Sequence, residues 1–280
     1  MKMFENRKLV IATMHKKEQA IQPILESNLG CICIVSEKLN TDKLGTFSGE
    51  IERLDDPIAT ARKKCFLAME MTNTDIAVAN EGSFGPHPSY FFINADDEFL
   101  LFIDRKNQLE IVVRELSLDT NLNGAYISNE TELKEFAEKT KFPSHRLILR
   151  KSESEKIDIY KGINSWNELK EKFNILKNKF EKVYVETDMR AMYNPTRMEV
   201  IRKLTEKLVE KINSTCPNCA TPGFGVTDVK EGLSCSYCNS PTRSIKSHIY
   251  SCEKCDFIEE KQFPKGKKFE DPMYCDVCNP

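Results

Sequence analysis

Cys216-Pro-Asn-Cys219, Cys235-Ser-Tyr-Cys238, Cys252-Glu-Lys-Cys255 and Cys275-Asp-Val-Cys278 punctuate the last quarter of the chain, and their reading decides how that quarter folds. A two-residue gap lets both sulfurs of a knuckle face one ion. Structural zinc takes four thiolates in a tetrahedron, so two knuckles complete a site and four imply two zincs. Fifteen residues separate the first two pairs and nineteen the last two, both within the range of C-x2-C…C-x2-C sites. The simplest expectation is two consecutive zinc ribbons, Cys216/Cys219/Cys235/Cys238 and Cys252/Cys255/Cys275/Cys278. An interleaved cross-brace, first pair with third and second with fourth, is the alternative. Disulfides are disfavoured, because the chain opens Met-Lys-Met-Phe-Glu-Asn-Arg without an apolar leader and holds no apolar run of bilayer-spanning length. The expected setting is the cytoplasm, where thiols stay reduced, with no membrane partner.

Upstream of this zinc-ribbon region (213–280) lie some 212 residues, enough for a domain with a sizeable core. Lys and Arg number 41 against 43 Asp and Glu, a formal net charge of −2, so no global field attracts nucleic acid or a membrane surface. From Ile212 onward there are eight Lys/Arg and nine Asp/Glu, whereas many nucleic-acid-binding ribbons are visibly basic.

Within residues 1–212, β-type apolar runs alternate with amphipathic stretches. Strands are expected at Leu9–Met14, Cys31–Val35 and Asp75–Ala79, then at Tyr90–Ile93, Phe99–Ile103 and Leu109–Val113, whose short connections indicate antiparallel hairpins. Shorter strands follow at Arg146–Leu149 and Val183–Val185. Helices are expected over Lys16–Ser27, from the Asp56-Pro57 cap to Met71, and over Glu130–Thr140, Trp166–Phe180 and Pro195–Ile212. A polar loop surrounds Gly45 and Gly49. The pattern predicts an α/β domain with a mixed, mostly parallel sheet flanked by helices. Cys31, Cys33 and Cys65 sit in apolar surroundings and read as small buried hydrophobes.

Ligands of open α/β sheets bind beyond the carboxyl ends of the strands, and three strands are followed at once by polar clusters. If those strands are parallel, the clusters share one cleft. Asp104 joins only if its strand runs the same way. In the cluster at Glu186-Thr-Asp188-Met-Arg190, two carboxylates two residues apart at a strand end can hold Mg²⁺ or Mn²⁺. Asn194-Pro195-Thr196-Arg197 then opens a long helix, with Asn194 as N-cap, so that Arg190, Arg197 and the helix start make an anion clamp. The alternative is that these arginines simply pair with Glu186 and Asp188. In the loop Glu81-Gly-Ser83-Phe-Gly-Pro-His87-Pro88, Glu81 is a metal ligand or base, Ser83 a phosphate contact and His87 a proton shuttle or a rigid-turn residue. In the first cluster, His15 and Glu18 are expected on one helical face, and Lys16 or Lys17 meets the anion, depending on where the helix starts. His145 precedes a strand and falls at the opposite end.

Val10-Ile11-Ala12-Thr13 with its following lysines, the Ala-rich stretch Ala59–Ala68 and Asn80-Glu81-Gly82-Ser83 resemble the inosine triphosphatase-type house-cleaning nucleotidases. The asparagine of that family two residues after the threonine is His15 here, and its acidic pair is a single glutamate. Across nearly all its length the chain resembles an uncharacterised bacterial family that combines an EGSFGPHP loop (Glu81–Pro88), an ETDMRA…NPTR segment (Glu186–Ala191, Asn194–Arg197) and terminal cysteine knuckles.

The expected function is a metal-dependent phosphohydrolase or nucleotidyl-type enzyme acting on a phosphate-bearing nucleotide or nucleic acid. Glu186, Asp188 and Glu81 would hold the cation, Arg190, Arg197 and a first-turn lysine the phosphate, and His15 or His87 the proton. The alternatives are a noncatalytic nucleic-acid-binding module using Tyr237, Arg243, Lys246 and Tyr250, or a protein-interaction adaptor.

Overall fold

The computed structural model describes residues 3–36, 56–154 and 157–280. The segment around Gly45 and Gly49 lies outside them. The chain divides into two compact units, Met1–Val209 and Glu210–Pro280.

The first unit opens with β1 (Lys8–Ile11), α1 (Glu18–Leu29), β2 (Ile32–Val35) and α2 (Pro57–Thr72), followed by β3 (Ile76–Pro86), β4 (Asn94–Asp104) and β5 (Leu109–Ser117). The sheet order is β2-β1-β3-β4-β5. β1 is parallel to β2 and β3, whereas β4 and β5 are antiparallel additions. A second sheet is built from β6 (Gly124–Ile127), β7 (Leu147–Arg150), β8 (Tyr160–Ile163) and β9 (Val183–Thr187), in the order β6-β9-β7-β8. Helices α3 (Glu130–Lys139) and α4 (Trp166–Lys177) belong to this half, and α5 (Pro195–Asn213) closes the unit. Every pairing in the second sheet is antiparallel. The expectation of one mostly parallel sheet is therefore corrected: the described residues of this unit form two sheets, and among them the parallel pairings are those of β1 with β2 and β3.

Local chemistry accounts for the helix starts. Asp56 Oδ1 accepts from the N–H groups of Ile58 and Ala59, at 2.9 and 3.0 Å, ahead of Pro57. Asn129 and Glu132 form a reciprocal cap on α3, with Glu132 N–H on Asn129 Oδ1 and Ser128 N–H on Glu132 Oε2. The first sheet buries Val10, Ala12, Ala77, Ala79, Leu101 and Ile103 against Ala61, Cys65, Ala68 and Met69 of α2. The small residues of both elements permit this close helix-on-sheet contact. The second sheet packs Leu147, Leu149, Val183 and Val185 with Leu133, Phe136, Leu169 and Phe173. Cys31, Cys33 and Cys65 are all buried.

Three local expectations change. The Glu81–Pro86 segment is not a loop but the second half of β3, paired with β4 from Ile76↔Asp104 to Pro86↔Asn94. Tyr90–Ile93, expected as a strand, belongs to the turn between them. Asp104 consequently sits at the opposite end of its strand, where both its oxygens accept from Arg7. Finally, α1 begins at Glu18, and Lys16 takes a left-handed φ of 57° before it, so His15 lies outside the helix and shares no helical face with Glu18.

In the second unit, β10 (Gly225–Glu231), β11 (Ile245–Ser251) and β12 (Ile258–Gln262) form an antiparallel sheet in that order. Gly225 pairs with Ser251 at one end, while Glu231 pairs with Ile245 and Ser247 with Gln262 toward the other.

Candidate functional site

The eight knuckle cysteines form two quartets, Cys216/Cys219/Cys252/Cys255 and Cys235/Cys238/Cys275/Cys278. The sequential pairing is corrected to the interleaved one, and the sheet is the reason. β10 carries the chain away from the first pair, and β11 brings it back to deliver the third pair beside the first. β12 then returns it to the end that holds the second pair, where the fourth arrives. A seven-residue strand spans roughly 23 Å, so consecutive pairs are held at opposite ends.

Within the quartets Sγ–Sγ separations are 3.7 Å for Cys216–Cys255, 3.6 Å for Cys219–Cys252, 3.9 Å for Cys235–Cys278 and 3.6 Å for Cys238–Cys275. A tetrahedron with zinc–sulfur bonds of about 2.3 Å has edges of about 3.8 Å, whereas a disulfide requires about 2.05 Å. The two quartets can therefore bind two zinc ions. In three knuckles the residue after the second cysteine is left-handed (Ala220 φ 57°, Asn239 φ 59°, Asp256 φ 55°), and its N–H returns to the carbonyl of the first cysteine. Hydroxyls of Thr221 and Ser240 bond the sulfurs of Cys219 and Cys238 and pull both thiols down to about 6, whereas burial pushes Cys252 up to about 11 and the bond to Cys238 pushes Cys278 up to about 12.

The first unit holds a cleft of about 530 Å³ lined by Ser83 and Phe84 of β3, Asn94 of β4, Arg150 of β7, and Glu186 and Asp188–Arg190 at the end of β9. It brings together two of the three predicted clusters. Two of its three carboxylates have an arginine, Glu153 being the third: Glu186 Oε1 lies 2.7 Å from Arg150 Nη2, and Asp188 accepts from Arg190 Nε at 2.9 Å and Nη2 at 2.6 Å. Arg190 is held further by the Tyr193 ring, 4.6 Å beneath its guanidinium. Burial pushes the Glu186 carboxyl up, against the opposing pull of Arg150.

The third cluster reaches this site through a buried polar chain. Lys17 Nζ donates to the Asn80 carbonyl at 3.1 Å, Asn80 Nδ2 donates to Glu98 Oε2 at 2.8 Å, Arg197 Nε donates to Glu98 Oε1 at 2.6 Å, and Arg197 Nη1 donates to the Met189 carbonyl at 2.7 Å. Burial, then the charge of Arg197, pushes Lys17 down to about 7. Burial alone would raise Glu98, but Arg197, Lys17 and the Asn80 bond together hold it below the usual carboxylate range. Asp96 is on the same face of β4, two residues away. It is buried, neither oxygen has a hydrogen-bond donor, and burial and then Glu98 push it up to about 8. A protonated Asp96 can donate to Glu98 instead of repelling it. Gly82 leaves the space for this arrangement, since a Cβ there would collide with the Glu98 carboxylate.

The remaining predicted residues lie elsewhere or act differently. Glu81 alternates to the other face of β3 from Gly82 and Phe84 and pairs with Lys64 of α2, so it does not join Glu186 and Asp188. Among the described residues, the groups of three or more clustered metal-ligand side chains are the two cysteine quartets. Asn194 does cap α5, accepting from Arg197 N–H at 3.1 Å, and His145 Nε2 accepts from Thr196 N–H at 3.3 Å. With these donors taken and Arg197 fully buried on Glu98, the expected anion clamp at the helix start is closed. His87 Nδ1 accepts from the N–H groups of Ser89 and Tyr90 at 3.1 and 3.2 Å and organises its turn as a rigid-turn residue. His15 and Lys16 do not line the cleft, and Lys16 is exposed, while Lys17 is the lysine that turns inward. Of the proposed stacking set, Tyr250 packs on Phe224 and Arg243 pairs with Asp276, while Lys246 is exposed and Tyr237 is 81% exposed.

Sequence reading missed Arg150, Asp96 and Glu98, and set aside His145, which contacts the start of α5. Arg150 closes the apolar run Leu147-Ile-Leu, and a cation at the end of a buried strand is the same signal that singled out Glu186. No helix of the described chain is long and apolar enough to cross a membrane. The model of a family described as a domain of unknown function (DUF6671) matches residues 64–280, which include every cleft-lining residue and all eight quartet cysteines. The chain belongs to the DUF6671 family. No curated protein matches it.

Proposed function

We propose that this DUF6671 member is a metal-dependent phosphohydrolase or nucleotidyl-type enzyme whose second unit is stapled by two structural zinc ions. One observation carries the reading: Ser83 from the EGSFGPHP segment and Glu186, Asp188 and Arg190 from the ETDMRA segment line one cleft. Arg150 and Arg190 neutralise the substrate phosphate, and Asp188 fixes the direction of Arg190. Ser83 supplies a hydroxyl contact. Glu186 would hold a Mg²⁺ or Mn²⁺ ion, which would supply charge neutralisation for the phosphate, because such ions keep several waters and need only one or two protein carboxylates when phosphate supplies the rest. The likeness of Val10–Thr13 and Asn80–Ser83 to inosine triphosphatase-type nucleotidases points the same way. The test is release of phosphate or pyrophosphate from nucleoside mono-, di- and triphosphates by the zinc-loaded protein, with and without Mg²⁺ or Mn²⁺.

The adaptor reading is favoured by one observation, the exposed Tyr237, Met273, Tyr274 and Val277 around the second cysteine quartet. Co-purification of a stoichiometric partner that is lost on Tyr237→Ser and Val277→Ser would support it.

A further inference from the structure

Cys31 directly precedes β2 and Cys33 lies within it, two residues on, so both side chains project from one side of the chain and their sulfurs come within 3.9 Å of each other. Cys65 is the contrast: it is fully buried against the first sheet, with a carbonyl, that of Leu101, 4.0 Å from its sulfur. Cys31 and Cys33 keep 4% and 8% of their surface open. Among the described residues β2 is the outer strand of its sheet and pairs with β1 alone, so its side chains can shift without straining a ladder on both sides. Two strand residues separate Cα atoms by about 6.6 Å, inside the range of roughly 4.4–6.8 Å that a disulfide bridges. The contact holds the Cys31 thiol below its ordinary value and pushes that of Cys33 up, the pattern of a Cys33 thiol donating to a Cys31 thiolate.

A metal ion is the poorer occupant. Structural zinc needs four ligands, and the clusters of three or more metal-ligand side chains among the described residues do not include this pair. A monovalent soft ion on two thiolates would leave a buried negative charge beside Glu26, whose Oε1 accepts from Cys33 N–H at 3.0 Å. A disulfide is neutral.

We propose that Cys31 and Cys33 form a thiol–disulfide exchange site, converted to an internal disulfide by a low-molecular-weight disulfide of the glutathione class. The Cys31 thiolate attacks one sulfur of oxidised glutathione, forming a mixed disulfide and expelling one glutathione thiolate, which takes up a proton. Cys33 then gives up its proton and attacks the Cys31 sulfur, closing the Cys31–Cys33 bond and releasing the second glutathione as a thiol. Two protein thiols are oxidised, and one glutathione disulfide is reduced to two thiols. The site stands apart from any reading of the cleft.

The test exposes the full zinc-loaded chain to excess oxidised glutathione, quenches with acid, blocks the remaining thiols with N-ethylmaleimide in denaturant, and weighs the tryptic peptides. Glu18–Lys38 carries both cysteines, and Cys65 falls in a separate peptide. Glu18–Lys38 should be recovered two hydrogens lighter than the dithiol and free of N-ethylmaleimide, at a rate at least about tenfold above modification of Cys65, and dithiothreitol should reverse the change. Cys33→Ser should stop with glutathione on Cys31, and Cys31→Ser should leave Cys33 unmodified, both variants being folded by Trp166 fluorescence. N-ethylmaleimide on both cysteines after the exposure, modification of Cys65 at the same rate, or glutathione retained on the unsubstituted chain without ring closure would overturn the proposal.

Discussion

Arg197 and Glu98 are 99 positions apart in sequence and meet at 2.6 Å, Nε to Oε1, with both side chains wholly buried. This pair joins the start of α5 to the middle of β4, and Arg197 Nη1 on the Met189 carbonyl extends the connection to the cleft wall. A charge this deeply buried is tolerated only with a partner, and removing one partner leaves the other stranded. Arg197→Ala should therefore destabilise the first unit by about 3–5 kcal/mol in urea unfolding, followed by the fluorescence of Trp166, which packs edge-on against Phe142 in the core. Loss below 1 kcal/mol, on the order of a surface ion pair, would mean that the pair is solvated.

The carboxyl pair sets a pH dependence. Asp96 has a folded pKa of about 8, raised from 3.8 by burial and by Glu98. Between those values the folded state holds a proton that the unfolded chain has lost. Stability from this group is fully present below the unfolded pKa and falls as pH rises toward 8, at no more than about 1.4 kcal/mol per pH unit. Asp96→Asn, which keeps a donor toward Glu98, should be more stable than the wild type at pH 8 and converge with it near pH 4. The Trp166 melting transition of both proteins across this range is the measurement, and parallel curves would refute the shared proton.

Gly82→Ala should be costly although its φ is ordinary. The added methyl would occupy the space of the Glu98 carboxylate and break its bonds to Asn80 and Arg197, for a loss of about 2 kcal/mol or more. Gly85→Ala, with no atom within 4 Å of the new methyl, is the matched control. Equal denaturation midpoints for the two variants would count against the network.

The metal quartets permit a direct count. Replacing Cys216, Cys219, Cys252 and Cys255 together by serine removes one interleaved site and spares the other, so elemental analysis should find one zinc per chain instead of two. The sequential pairing would lose both, and a value near zero would restore it.

The knuckles, the Asp56-Pro57 helix start and the Asn194 cap were legible because each is encoded within a few residues. What escaped depended on distant partners. Gly82, Gly85 and Pro86 make Glu81–Pro86 look like a loop, but pairing with Asn94–Phe99 holds it as a strand. Asp96 and Glu98 give the start of β4 a polar surface, and nothing local indicates that Arg197 neutralises it from 99 positions away. The cysteine spacing fits either pairing; only the sheet of β10, β11 and β12 separates the sites, and its strands carry little apolar signal. The convergence of the Ser83 and Glu186 segments was anticipated, but through two sheets instead of one parallel sheet. That difference is why Glu81, His87 and Arg197 turned out to support the site instead of lining it.

The most direct measurement is release of phosphate or pyrophosphate from the nucleotide panel by wild type, Glu186→Gln and Arg190→Ala, each zinc-loaded and folded by Trp166 fluorescence. The account predicts release that requires Mg²⁺ or Mn²⁺ and falls by about 100-fold or more in both variants. Absence of both phosphate and pyrophosphate release from every nucleotide with either cation, or rates unchanged by both substitutions, would contradict it.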